Sequence, residues 1–359
     1  MGTRYHLIGA SELDTALLHA WRTVLAGQAV FHSPYFCPEF TLAVAAVRAD
    51  VRIVVIECDG RPVGFFPHQR SSWGRGRPVG GPLSDYHGVV AEPGADWSVP
   101  ALMRAARLSV WPFDHLVGDP GRFAAYSSAR SSSPQIDLRE GYAAYVKGRR
   151  EAGSDYIPKT EGLARKLGRE VGELRFTFND TAEETLSQLL AWKRDQYLKV
   201  KTTDVFDSPW TGQLLRNIAA TQTTEFAGVC SVLRAGDRIV AAHMGMRSRT
   251  SLHYWFPAYD PELAKFSTGI ILLLRMAEAA ADLGLQTVDL GKGDSQYKQR
   301  LMTGAAALSE GQVCMPSVWG TMERLRHKAE ALDARSGLTR VLMLPLRFAR
   351  RLEHRRKFR

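Results

Sequence analysis

The stretch LHYWFPAYDPELAKFSTGIILLLRMAEAAADLGLQTVDLGKGDSQYK, Leu252 to Lys298, decides how this chain folds. Its pattern predicts a strand, a loop opening onto a long apolar helix, a second strand, and a polar bend that ends in Tyr297 and Lys298. The helix begins near Ser267, Thr268 and Gly269, so its first backbone N–H groups and the positive end of its dipole point at whatever precedes it. Such a helix start seats a pyrophosphate or another anion. The flanking strands can splay to admit a thioester arm, an order of elements that suits acyl transfer. Gly284 stands where a helix wants its C-terminal glycine.

Outward from this stretch, two hairpins echo one another. RIVVIECDGRPVGFFPHQ (Arg52 to Gln69) and VCSVLRAGDRIVAAHMGM (Val229 to Met246) each predict strand, turn, strand, and Arg61 and Val63 match Arg238 and Val240 at one offset of 177 residues. Asp59-Gly60 and Gly236-Asp237 are favoured hairpin dipeptides because they tolerate positive φ. Two similar α/β units account for the echo; chance recurrence of hairpins is the other explanation, and the echo alone leaves both open. Around the first hairpin the patterning predicts helices over Ser11 to Ala26, after the turn at Phe31, and over Val99 to Leu108. Short strands are expected at His115 to Gly118 and Gln135 to Leu138, either side of a Ser-rich loop. Around the second it predicts helices over Thr181 to Val200 and Trp210 to Thr221, and a last strand, QVCMPSVW, beyond Gly311.

A chain of 359 residues suggests roughly two domains. Hydrophobic residues at 45% and charged residues at 23% match a folded soluble protein and exclude disordered or fibrous classes. The first residues lack the features of a secretory signal, and the longest apolar candidate, Ile270 to Ala281, is interrupted by Arg275 and Glu278. A cytoplasmic location is expected. Cys37, Cys58, Cys230 and Cys314 lie far apart with no metal-ligand spacing, so neither a metal nor a disulfide framework is expected. Net charge is +10, and eight basic residues against Glu353 between Arg340 and Arg359 supply +7 of it. The tail VLMLPLRFARRLEHRRKFR could attach to the inner membrane face or serve as a solubilising extension. No specific nucleic-acid partner is expected, because the rest of the chain is nearly neutral.

Gly291-x-Gly293 follows a strand, yet the third glycine of a dinucleotide fingerprint would fall on Gln296 and no Walker lysine is present, which excludes both phosphate loops. The two glycines let the backbone bend so that Asp289, Tyr297 and Lys298 face one cleft. Asp289 could orient or deprotonate an amine, or only cap its own loop. Tyr297 could protonate a leaving thiolate or only line a wall, and Lys298 could hold a phosphate, polarise a carbonyl, or be solvated. Tyr259 and Asp260 could line an acceptor pocket, and Asp85, Tyr86 and His87 form a second polar cluster suited to substrate recognition or turn capping. His243, mid-strand among apolar neighbours, reads as a core histidine. No G-x-S-x-G elbow occurs.

These residues resemble the CelD-like acetyltransferases of the GNAT superfamily, relatives of the FemAB peptidoglycan aminoacyltransferases. FHSPYFCPEF, DGRPVGFFPHQ, SDYHGVV and FSTGIILLLRMAEAAADLGLQTVDLGKGDSQYK are similar, in that order, to four segments of the family, covering Phe31 to Gly304. The resemblance implies two tandem GNAT-like domains of α/β (α+β) class with mixed sheets flanked by helices. It implies acyl transfer from acyl-coenzyme A, such as acetyl-coenzyme A, to a small-molecule or glycan amine in polysaccharide or envelope biosynthesis. It marks Ser267, Thr268 and Gly269 as the anion-binding helix start, and Asp289, Gly291, Gly293, Tyr297 and Lys298 as the site loop. KFSTG stands where many GNAT enzymes carry Q/R-x-x-G-x-G/A. Expected boundaries are 1–140 for the first domain, 141–180 for a helical linker, 181–322 for the second domain and 323–359 for the basic tail. Two alternatives stand beside this: a FemAB-type aminoacyl-tRNA-dependent transferase, and a non-catalytic accessory protein of a polysaccharide synthase.

Overall fold

In the computed structural model, which describes residues 2–71, 74–118, 120–200 and 204–316, both hairpins form where the dipeptides place them. Asp59 and Gly60 take φ of 53° and 79°, the left-handed pair that a two-residue turn between twisted strands requires. Val51–Cys58 (β2) and Arg61–Arg70 (β3) therefore pair in antiparallel register.

The chain groups into two compact units, the first of residues 2–31, 38–131 and 308–316, the second of residues 32–37 and 132–307. In the first, Thr3–Gly9 (β1) precedes Thr15–Ala26 (α1), whose N-cap Asp14 accepts the Leu17 N–H at 2.8 Å. Pro38–Ala45 (α2) follows, then the hairpin, Gly76–Arg77 (β4), Val90–Ala91 (β5) and Val99–Ala105 (α3). The sheet runs β1-β2-β3-β4, with β5 on β3. Val110–Leu116 (β6) and Pro120–Phe123 (α4) complete the run before Ser127–Asp137 (β7). Val54, Phe66, Trp111 and Phe113 share the first unit's core with Val313, which a late return of the chain delivers.

The Ser-rich segment is strand, not loop. Serines at exposed positions of β7 cost nothing there because the backbone, not the hydroxyls, makes the ladder.

In the second unit, Gly141–Glu151 (α5) and Tyr156–Glu170 (α6) pack on the apolar helix, so the charged segment set apart as a linker is counted in this unit. Leu174–Thr177 (β8), Glu183–Lys199 (α7), Pro209–Ala220 (α8), Ala227–Ala235 (β9), Arg238–Arg247 (β10) and Ser251–Tyr259 (β11) follow. Then come Thr268–Asp282 (α9), Thr287–Asp289 (β12), Gln296–Leu301 (α10) and Gly304–Cys314 (β13), whose residues from Leu308 on belong to the first unit. The order β7-β12-β11-β10-β9-β8 is antiparallel except for β11 and β12, which are parallel. Helix α9 is apolar on most sides because it is covered on most sides: Leu272, Leu273, Met276 and Ala277 lie in the core, and Arg275 forms a bidentate pair at 2.7 Å with Glu161 of α6. Burial of each such large side chain contributes roughly 1.5–3 kcal/mol. The helix closes as expected: Gly284 takes φ of 77° and donates to Ala281 O, while Leu285 N–H donates to Ala280 O, both at 2.9 Å.

No helix among the described residues is long and apolar enough to cross a membrane. The basic tail at 323–359, and the end of the last expected strand, lie outside the described residues.

Candidate active site

A parallel strand pair can only open where its ladder ends. The β11–β12 ladder stops at His253↔Asp289, while β11 itself continues to Tyr259, so the two strands part before the end of β11. A cavity of about 690 Å³ lies in this unit, lined among others by Trp192 and Lys193 of α7, Tyr254 and Tyr259 of β11, Ser267, Thr268 and Gly269 at the start of α9, and Tyr297 and Lys298 of α10. The helix start and the Tyr-Lys pair, 28 residues apart at Gly269 and Tyr297, thus share one cavity.

The helix start is held open. Ser267 adopts the left-handed conformation, φ 54° and ψ 43°, and no side chain among the described residues caps the first turn. Thr268 is fully buried, and its Oγ1 has no hydrogen-bond partner among the described residues. Gly269 leaves room for its neighbour: a Cβ there would lie 3.3 Å from the Tyr259 ring. Tyr254 donates its hydroxyl to Gly269 O at 3.3 Å, tying β11 to the helix.

Lys298 is 9% exposed and donates to Gly291 O at 2.9 Å and Lys292 O at 3.0 Å. Those carbonyls face it because the bend takes φ of 74° at Gly291 and 128° at Gly293. Gly291 and Gly293 accordingly shape the bend and are not among the residues lining the cavity. Asp289 is likewise off the cavity wall. Its carboxylate is 1% exposed and accepts from Ser133 Oγ, the Gly291 N–H and Gln135 Nε2, each at 2.8 Å, with His253 Nδ1 at 3.3 Å. Of the two readings of Asp289, the structure shows the loop cap, which locks the bend that aims Lys298. Burial, with a smaller effect of Tyr156, pushes the Tyr297 hydroxyl up to about 12, so it remains a proton donor across the ordinary pH range.

Of the acceptor residues, Tyr259 lines the cavity and is half exposed, whereas Asp260 caps the 3₁₀ segment Pro261–Phe266 by accepting the Glu262 N–H at 3.0 Å and binds Arg238 Nε at 2.8 Å. Asp85, Tyr86 and His87 belong to the first unit and do not line this cavity. His87 Nε2 accepts the backbone N–H groups of Asp114 and His115, both at 3.1 Å. His243 is a core histidine: its ring stacks on Tyr254 at 4.7 Å, its Nε2 accepts the Trp255 N–H at 3.2 Å, and burial, then His253, pulls its pKa down to about 3.

Lys193 was not singled out by sequence. It is 9% exposed, and burial alone pulls its amine down to about 8. One signal was present: Leu186, Leu189 and Lys193 fall on one face of α7, so this lysine occupies a position where an apolar residue is expected.

Residues 161–299 match the family model of the Acetyltransferase (GNAT) domain. A search of curated proteins gave no match. Among solved structures, FemX is similar at a TM-score of 0.56 and 8% identity, over 87% of this chain and 96% of that one. The C-terminal DUF2156 domain assigned to a lysylphosphatidylglycerol synthetase of Agrobacterium fabrum is similar at 0.52 and 10%, over 86% and 94%. A tandem GNAT protein from the clavulanic acid biosynthesis pathway is similar at 0.50 and 11%, over 88% and 100%. The fold is therefore a GNAT fold of mixed sheets flanked by helices, and the matched domain makes the chain an acyltransferase.

Proposed function

We propose that this chain is an N-acyltransferase that moves an acyl group from acyl-coenzyme A to an amine acceptor, a CelD-like enzyme of polysaccharide or cell-envelope biosynthesis. The observation that carries this is the single cavity shared by the uncapped start of α9 and by Tyr297 and Lys298. GNAT domains use acyl-coenzyme A, and the residues present suit it: the first N–H groups of α9 and the unpartnered Thr268 Oγ1 can hold a diphosphate. The donor supplies the activated acyl group. The chain's part is to hold and orient it, to place a backbone N–H of β11 beyond His253, other than that of Trp255, against the developing oxyanion, and to present the Lys298 amine beside it. Tyr297 supplies a proton to the departing sulfur. A glycan or small-molecule amine enters past Tyr259, which is half exposed.

The test is thermal shift against acetyl-coenzyme A, longer acyl-coenzyme A species and free coenzyme A, since a ligand that binds only the folded state raises its melting temperature. A rise with all three, reduced in Thr268→Val, supports the proposal. No rise with any of them, together with salt-sensitive binding of aminoacyl-tRNA, would replace it with the FemAB-type alternative. Binding of neither would leave the accessory-protein alternative.

A further inference from the structure

Lys193 is a buried amine that the proposed reaction does not use. It lines the same cavity as Thr268, Tyr297 and Lys298, and its Nζ donates to Gln196 Oε1 at 3.2 Å. No carboxylate among the described residues pairs with it. The same cavity is lined by Asp195 and Lys199 of its own helix, Tyr254 of β11 and the Tyr297–Lys298 pair, and the neutral His243 of β10 interacts with it electrostatically. An ammonium taken from water without a counter-ion is destabilised relative to the free amine. A free amine is a nucleophile.

We infer that Lys193 is itself an acyl acceptor: the chain acylates its own Lys193 Nζ from a thioester held in the cavity. This rests on the donor assignment above. The nitrogen lone pair attacks the thioester carbonyl carbon, the C–N bond forms as the C–S bond breaks, and the proton lost by nitrogen ends on sulfur. The products are Nε-acyl-lysine and the free thiol. The modified side chain has lost its charge and carries the acyl group into the cavity, so the modified chain holds the donor more weakly. Lys193 is thereby a modification site that throttles the cavity when no other amine occupies it.

The full chain is incubated with increasing acetyl-coenzyme A at pH 8, acetylation is mapped by peptide mass spectrometry, and the coenzyme A thermal shift is measured before and after. Acetylation of Lys193 should saturate with acetyl-coenzyme A and run at least about tenfold faster than at the exposed Lys147 and Lys159. The acetylated chain should show a smaller coenzyme A shift. If coenzyme A raises the melting temperature while Lys193 stays unmodified, or is modified no faster than Lys147 and Lys159, self-acylation is wrong and the donor assignment stands. If coenzyme A raises nothing, both fall.

Discussion

The polar cluster of the first unit and the cavity of the second use similar residue types to opposite ends. In the first, His87 Nε2 is occupied by two backbone N–H groups and Ser84 Oγ donates to Tyr86 O at 2.9 Å, so these two atoms close on their own backbone. In the second, among the described residues, the Thr268 hydroxyl has no hydrogen-bond partner, no side chain caps the first turn of α9, and no carboxylate pairs with the buried Lys193. Polar atoms that the fold has already satisfied hold structure together, and a ligand gains little from them. Those left unsatisfied inside a cavity are where a ligand contributes most.

The sharpest way to break this contrast is Lys298→Met. Loss of its amine beside the developing oxyanion should lower the rate of coenzyme A release from acetyl-coenzyme A in the presence of acceptor by roughly 10²–10³-fold. A variant with full rate would remove Lys298 from the proposed chemistry. Next comes Asp289→Asn, which turns one accepting oxygen into a donor facing groups that already donate. Urea unfolding should show a loss of roughly 1–3 kcal/mol, with the coenzyme A thermal shift retained. Unchanged stability with abolished turnover would instead put Asp289 on the substrate.

The third effect has the opposite sign. The Lys193 pKa is lowered in the folded state to about 8 from an ordinary 10.5, so between those values the unfolded chain binds more protons and stability rises with pH. At pH 7 the buried amine is a net cost, and Lys193→Met should be more stable than the wild type by roughly 1–3 kcal/mol, the gap closing as pH rises from 8 to 10.5. A variant less stable at pH 7 would mean that Lys193 is paired.

Much of this architecture can be read in local patterns. The Gly284 stop, the Asp59-Gly60 turn and the span of α9 depend on residues close in sequence, and so did the placement of Ser267 and Lys298 on one cavity, since a strand, helix, strand order brings a helix start and the next strand's end to the same edge. What escaped depends on distant partners. Asp289 looks like a strand-end carboxylate awaiting substrate until Ser133 and Gln135, more than 150 residues away, arrive to bond it. The Ser-rich run of β7 lacks apolar alternation because much of it is exposed, leaving periodicity nothing to detect. Lys193 is hidden by its charged neighbours Arg194 and Asp195, which make KRD look like a solvated helix face.

The late return of the chain has a consequence for synthesis. Val313 is a fully buried member of the first unit's core, and Tyr35, which belongs to the second unit, sets its ring edge-on to His253 at 5.0 Å and Trp255 at 5.8 Å. A nascent polypeptide therefore cannot finish either half in isolation as it emerges from the ribosome: one half waits for residues beyond 300, and the other must keep an early hexapeptide in reserve until its partners are translated. Cutting the gene between the halves would yield two incomplete fragments, so any attempt to express one alone must graft the borrowed segment back by circular permutation.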